Sequence, residues 1–408
     1  MKTLLYALLF VFGGIAVLAA QPPATAMAAH TADQAEIVKG GNAFAADLYA
    51  QLRSKPGNLF FSPESISTAF AMAYAGARGQ TAAEMEKVFH FTLPPERLHP
   101  AMGALLAEMN GTHPGYELHV ADALWAQQNQ NFLPAYLNLV KTDYGAGFKP
   151  MDFATAPEAA RATINNWVAQ ETNDKIQDLL GPGTVTPATL LVLTNAIYFK
   201  GAWLDPFEKG NTEIEDFHLD AKQTVKAAMM GRTGGYNYYD GGAFEALELP
   251  YKGGELSMVI LLPKKIDGLA ALEKSFTAAN LTKWLDKLTP EPKVNLLLPR
   301  FKMTQDFDLG GTLSAMGMPQ AFGNAADFSG MTGKPAFQIS KAVHKAYVDV
   351  DETGTEAAAA TGIVMVGAMM RERETIIPFI ADHPFLFLIR DKTTGSVLFL
   401  GRLMDPTK

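Results

Sequence analysis

The 408-residue sequence predicts an α+β fold in one large domain. Apolar residues recur at the helical period through the first half of the chain, and β-prone apolar runs take over in the second. No repeat, charge block or Pro/Gly-rich linker divides residues 30–408. In the first half, Ile37, Phe44, Leu48 and Leu52 share a helical face, as do Ile66, Phe70 and Ala73. Thr81 and Glu84 are spaced as a capping box ahead of Met85, Val88 and Phe89. Residues 158–180 carry Ile164, Trp167, Val168, Ile176, Leu179 and Leu180, which predicts one long amphipathic helix. In the second half, 189–201, 255–263 and 294–303 each predict a strand bounded by turn residues. Runs 385–390 and 396–403 flank Asp391 and Gly395 and predict a hairpin with a left-handed glycine.

A hydrophobic fraction of 48% at this length suits a large buried core. Acidic residues (42) outnumber basic ones (34) for a net charge of −8, which weighs against nucleic acid as a partner. No run of Lys or Arg offers a polyanion site. There is no cysteine, so disulfides, thiol nucleophiles and cysteine metal sites are excluded. Lys2 precedes an uncharged apolar run from Leu4 to Ala20 and then a stretch rich in small residues. This predicts a signal peptide and processing region over 1–28, cleaved between 20 and 29, and one domain over 29–408. The competing reading is an uncleaved membrane anchor, against which Gly13, Gly14 and the small-residue tail speak. The protein is therefore expected to be secreted or periplasmic, with a signal that suits bacterial export.

The chain contains no G-x-S-x-G, S-x-x-K, H-E-x-x-H or phosphate-loop motif. Gly333-Lys334 is followed by Pro335 where a phosphate loop requires a hydroxyl, and the 8 histidines are scattered. Glu213 and Glu215 read as solvated surface. The chain is expected to have no catalytic residues, no metal and no cofactor.

Four segments in order resemble the serpin family from about residue 36 to the end. They are NLFFSPESISTAFAMAYAGARGQTAAEM (58–85), LTNAIYFKGAWLDPF (193–207), ISKAVHKAYVDVDETGTEAAAATG (339–362) and FIADHPFLF (379–387). The resemblance implies a serpin fold: three β-sheets, eight to nine helices and an exposed reactive-centre loop over about 352–376. It also implies a monomer that inhibits a serine protease as a suicide substrate. The protease cuts the loop, is acylated, and is trapped when the loop inserts into the central sheet. Ser62, Ser65, Asn195 and His344 match the family's shutter, a hydrogen-bonded cluster controlling sheet opening. Trp203, Arg300 and Glu352 match its breach, where insertion begins, with Arg300 in place of a common lysine. Taken alone, His344 would read as an ordinary core histidine and Trp203 as an ordinary core aromatic.

The hinge has its own physical logic. Gly354, Thr355, Ala357, Ala358, Ala359 and Ala360 lie in a stretch without proline or bulk, which in isolation would read as an Ala-rich helix or a linker. As a strand, it would send Thr355, Ala357, Ala359 and Thr361 to one face, all small enough for a core, and Glu356 to the other. A proline would remove a ladder donor, and an inward charge would cost several kcal/mol. By the family's spacing, fourteen residues on from Gly354 and sixteen back from Pro384 both reach Ala368, so the reactive bond is expected at Ala368-Met369. A one-residue shift makes Met369 the second candidate. A small residue there suits an elastase-like or subtilisin-like pocket, not a trypsin-like one with a buried carboxylate. The alternatives are a non-inhibitory serpin acting as chaperone or carrier, and an unrelated exported α+β enzyme.

Overall fold

A computed structural model describes residues 24–145, 147–335, 337–355 and 376–408, with side chains from residue 32 onward. The larger helices are α1 (Ala24–Leu52), α2 (Pro63–Tyr74), α3 (Gly79–Phe89), α4 (Pro95–Met109), α5 (Pro134–Tyr144) and α6 (Pro157–Glu171). Four short ones follow: α7 (Leu269–Ser275), α8 (Ala278–Leu285), α9 (Leu309–Met316) and α10 (Ser329–Thr332). Between the helices of the first half run β1 (Leu59–Phe61), β2 (Tyr116–Gln127), β3 (Phe148–Met151) and β4 (Leu191–Ala202). The second half supplies β5 (Thr212–His218), β6 (Thr224–Asp240), β7 (Phe244–Pro250), β8 (Leu256–Pro263), β9 (Thr289–Pro299) and β10 (Phe301–Asp308). It ends with β11 (Lys341–Val350), β12 (Gly354–Thr355), β13 (Ile377–Ile380), β14 (Phe385–Asp391) and β15 (Val397–Leu403).

The strands form two hydrogen-bonded networks among the described residues. One has six strands in the order β10-β11-β12-β4-β2-β3. The other has nine, β1-β15-β14-β8-β7-β6-β9-β13, with β5 paired to β6. Two of the three expected sheets are joined in the larger network, because the long strand β6 serves both. Its first half pairs with β5 and its end with β7, and the ladder to β9 shifts register between Gly234 and Tyr236.

β4 explains why 189–201 reads as a continuous apolar run: it is buried on both faces. Leu191, Leu193, Ile197 and Phe199 join the main core, while Val192, Ala196 and Tyr198 join a second cluster under α6. The long helix expected over 158–180 stops at Glu171. Asn173 (φ 50°) and Asp174 (φ 60°) take left-handed conformations that end it, and Ile176, Leu179 and Leu180 reach the same cluster from irregular chain. The run 294–303 is two strands in different networks, β9 and β10, parted at Arg300. Thr81 does not cap α3, which starts at Gly79. Its hydroxyl accepts from the Asp327 amide (2.9 Å), and Glu84 accepts from that of Gln320 (3.0 Å), so both tie down a distant loop. The C-terminal hairpin is as expected, with Gly395 at φ 79° and its amide donating to Asp391.

Candidate functional site

The site lies along the seam between β11 and β4. These strands pair directly and in parallel from Lys341–Val192 to Tyr347–Tyr198. Above that point they part, and β12 fills the gap, antiparallel to both: Gly354 opposes Ala202, and Thr355 opposes Gly201 and Val350. Glycine is required at 354. Its φ is +156°, and a Cβ there would lie 2.0 Å from the Gly201 carbonyl oxygen. Thr355 is fully buried, with its hydroxyl 2.8 Å from that of Tyr251. The reactive loop expected from about 352 thus starts as buried chain; Ala357, Ala358, Ala359, Ala360, Ala368 and Met369 lie outside the described residues.

The structure brings Trp203, Arg300 and Glu352 together beside β12. Trp203 stacks on Tyr251 (4.7 Å between centroids), and its indole N–H donates to the Asp351 carbonyl at 2.9 Å. Its amide donates to Thr353 O (3.0 Å), fixing the turn that aims β12 into the gap. Glu352 is buried, accepts from the Thr212 hydroxyl (2.7 Å) and lies 3.7 Å from Arg300 Nε. The Arg300 side chain is half exposed, so solvent screens that ion pair and the Thr212 bond holds Glu352 more firmly.

Further down the same seam, Ser62, Ser65, Asn195 and His344 form one buried network. Ser62 caps α2, and Pro63 at the next position suits a helix start. The Ser62 amide donates to His344 Nε2 (3.0 Å), so that nitrogen is unprotonated and Nδ1–H donates to Asn195 Oδ1. Burial lowers the His344 pKa to about 3, in keeping with this neutral tautomer. His344 and Asn195 are direct partners in the β11·β4 ladder, so their bond crosses the seam. The Asn195 amide donates in turn to Ser65 Oγ and to Asp122 Oδ1, which also accepts from Ser65 (3.1 Å).

Asp122 on β2 was missed in the sequence, as were Tyr251 and Thr212. A lone carboxylate within the apolar run VADALW was a signal for Asp122. Thr212 and Tyr251 carry no local signal, because only the fold brings them to the hinge. Among the described residues, no group of three or more His, Asp or Glu could hold a metal, and no helix is long and apolar enough to cross a membrane.

The sheet is thus closed along the lower part of one seam, and two residues of β12 occupy its upper gap. The family model described as Serpin (serine protease inhibitor) matches residues 39–406. Human "Serpin B4" is 42% identical over 385 residues, spanning 89% of this chain and 97% of the relative. Human "Leukocyte elastase inhibitor" is 43% identical over 376 residues, with the same shares of each chain. The crystal structure of uncleaved ovalbumin superposes with a TM-score of 0.82 at 31% identity, covering 91% of this chain and all (100%) of that one. The chain belongs to the serpin family. The family description and the elastase-inhibitor name denote inhibitors of proteases, not catalysts.

The expectation of a secreted or periplasmic protein is corrected by these relatives. Serpin B4 and the leukocyte elastase inhibitors are of the family's intracellular branch, which lacks signal peptides. A lysine followed by apolar and small residues is a pattern of hydropathy, and hydropathy alone does not set the compartment. The human relatives also lend the bacterial source no support. Residues 1–23 lie outside the described residues.

Proposed function

We propose that this serpin is a suicide substrate for a serine protease of elastase-like or subtilisin-like specificity. The protease serine attacks the Ala368 carbonyl and expels the Met369 amine; the protease, now acylated by Ala368, is trapped as the hinge inserts between β11 and β4. The observation that carries this reading is β12, which already occupies the top of the seam in register with both neighbours. Continuing the two registers would put Glu356 opposite Lys200 and Asp349 on the face away from Tyr251. It would also put Thr361 opposite both Asn195 and His344, which are partners across the closed seam. Insertion would therefore break the His344–Asn195 bond and deliver a hydroxyl to the same spot. It would exchange one short parallel ladder for two antiparallel ones, which are more stable per residue. Fourteen inserted residues at ~3.3 Å each span roughly 46 Å, enough to drag an acylated protease along the sheet. A displacement of ~1 Å in its oxyanion hole or nucleophile costs ~100-fold in deacylation.

Incubation with a panel of serine proteases tests this. An elastase-like or subtilisin-like enzyme is expected to give a covalent band that survives denaturation. Cleavage of the loop by every enzyme without such a band would instead make the protein a non-inhibitory serpin.

A further inference from the structure

Asp122 brings an ionisable carboxyl into the network around His344. One oxygen, Oδ1, accepts from Ser65 and Asn195, while Oδ2 is buried without a partner among the described residues. An asparagine would serve the same contacts without a charge. If Asp122 were ionised, half of its charge would sit on a buried oxygen that no donor among the described residues reaches. Glu64, in the first turn of α2, repeats the problem nearby: Oε2 accepts from the Ser396 hydroxyl (3.1 Å), and Oε1 is buried with no partner among the described residues.

We propose that Asp122 is a positioning residue for sheet opening, and that its proton holds the β11·β4 seam closed. The consequence for inhibition rests on the insertion reading above. With the neutral acid in place, Asn195 is held between Asp122 and His344, and the bond across the seam stands. Loss of the proton leaves a buried anion that is relieved when α2 and the sheet part and hydrate it. Ionisation thus favours opening.

The charged surroundings agree. Burial raises the Asp122 carboxyl well above the usual range; the Asn195 and Ser65 bonds oppose this without cancelling it, and Glu64 adds to it. Burial likewise raises Glu64, to about 7. On β11, His344 is neutral and offers no compensating cation. Asp122 also lines a cavity of about 390 Å³ with Asp143 and Tyr144 from the end of α5, Lys149 of β3 and Glu171 of α6. Lys149 there lies over the Trp167 ring at 5.0 Å. Because both acids are raised above their unfolded values, their support for the closed fold is complete at acid pH and is lost as pH rises through the folded values. His344, depressed below its unfolded value, stays neutral throughout that range.

The test follows the rate at which warmed, uncut protein loses its capacity to form the covalent complex, between pH 7 and 9. The wild type is expected to convert about tenfold faster at the alkaline end, as for one unit of pKa lost on opening. Asp122→Asn should flatten most of the slope and keep the slow acid rate, whereas Glu64→Gln, which removes the lesser neighbouring acid, should keep the larger part of it. A wild type with no slope, or the same slope in Asp122→Asn, overturns the proposal. Should Asp122→Asn fail to fold, infrared spectra of Glu64→Gln, which lacks the Glu64 band, decide. A protonated-carboxyl band at neutral pH that disappears on loop cleavage supports the proposal, and its absence before cleavage refutes it. The infrared result does not require a protease to be trapped, so it stands apart from failure of the inhibitory reading.

Discussion

Replacing Thr355 by arginine puts a charge at the point where the hinge enters the sheet. Thr355 has no exposed surface, and its hydroxyl bonds that of the buried Tyr251. Against Tyr251 lies the stacked Trp203 ring, so an arginine head at 355 would meet buried aromatic side chains. The substitution forfeits one hydrogen bond, worth about 1 kcal/mol, and forces burial of a cation or expulsion of β12. Burying an unpaired charge costs several kcal/mol even after relaxation. Taking about 3 kcal/mol as the part felt when insertion begins, strand entry slows roughly 100-fold. Hydrolysis of the acyl-enzyme, which the substitution does not touch, then wins the competition. The variant should still be cut at the same bond but behave as a substrate, with the covalent complex falling to a few per cent or less on a denaturing gel. Undiminished complex formation by Thr355→Arg would refute insertion as the trapping step.

The scissile register and the pH response offer further checks. Mass spectrometry of the fragment released by an elastase-like protease should find it beginning at Met369. Ala368→Arg should shift complex formation from elastase to trypsin, whose pocket pairs a cation; a fragment beginning at Glu372 would move the bond to Arg371 and the target to a trypsin-like enzyme. On the acid side, burial lowers the His344 pKa to about 3 in the fold, against 6.5 in the unfolded chain. The unfolded chain therefore takes up the proton first, and stability falls as pH drops from about 6.5 towards 3, by roughly 5 kcal/mol at the limit. Urea unfolding of wild type and His344→Gln across that range should show the acid loss reduced in the variant; parallel curves would remove His344 as its cause.

Much of this architecture was legible because it rests on local chemistry. A strand buried on both faces reads as an unbroken apolar run, as β4 does, and Asp391 and Gly395 announce the hairpin that closes the chain. Apolar period failed where irregular chain supplies core residues. Ile176, Leu179 and Leu180 continue the helical pattern past Thr172, although Asn173 and Asp174 have already turned the backbone. It failed again at Arg300, where one apolar run feeds two sheets. At the site, Ser62, Ser65, Asn195 and His344 were found through motifs on α2, β4 and β11. The groups completing their environment were not, because Asp122 reaches Asn195 only through the β2·β4 register and Tyr251 reaches Thr355 from outside the central sheet. Long-range pairing of that kind leaves no period to read.

The central claim is that the uncut fold is a trapped state which loop insertion completes. Scanning calorimetry of uncut protein and of protein nicked near residue 368 tests it most directly. Nicking ordinarily lowers the thermal midpoint, because it frees chain without adding contacts. If the nicked hinge enters the seam between β11 and β4, the midpoint should instead rise sharply, since the new strand pairs with both neighbours. An unchanged or lowered midpoint would contradict the account.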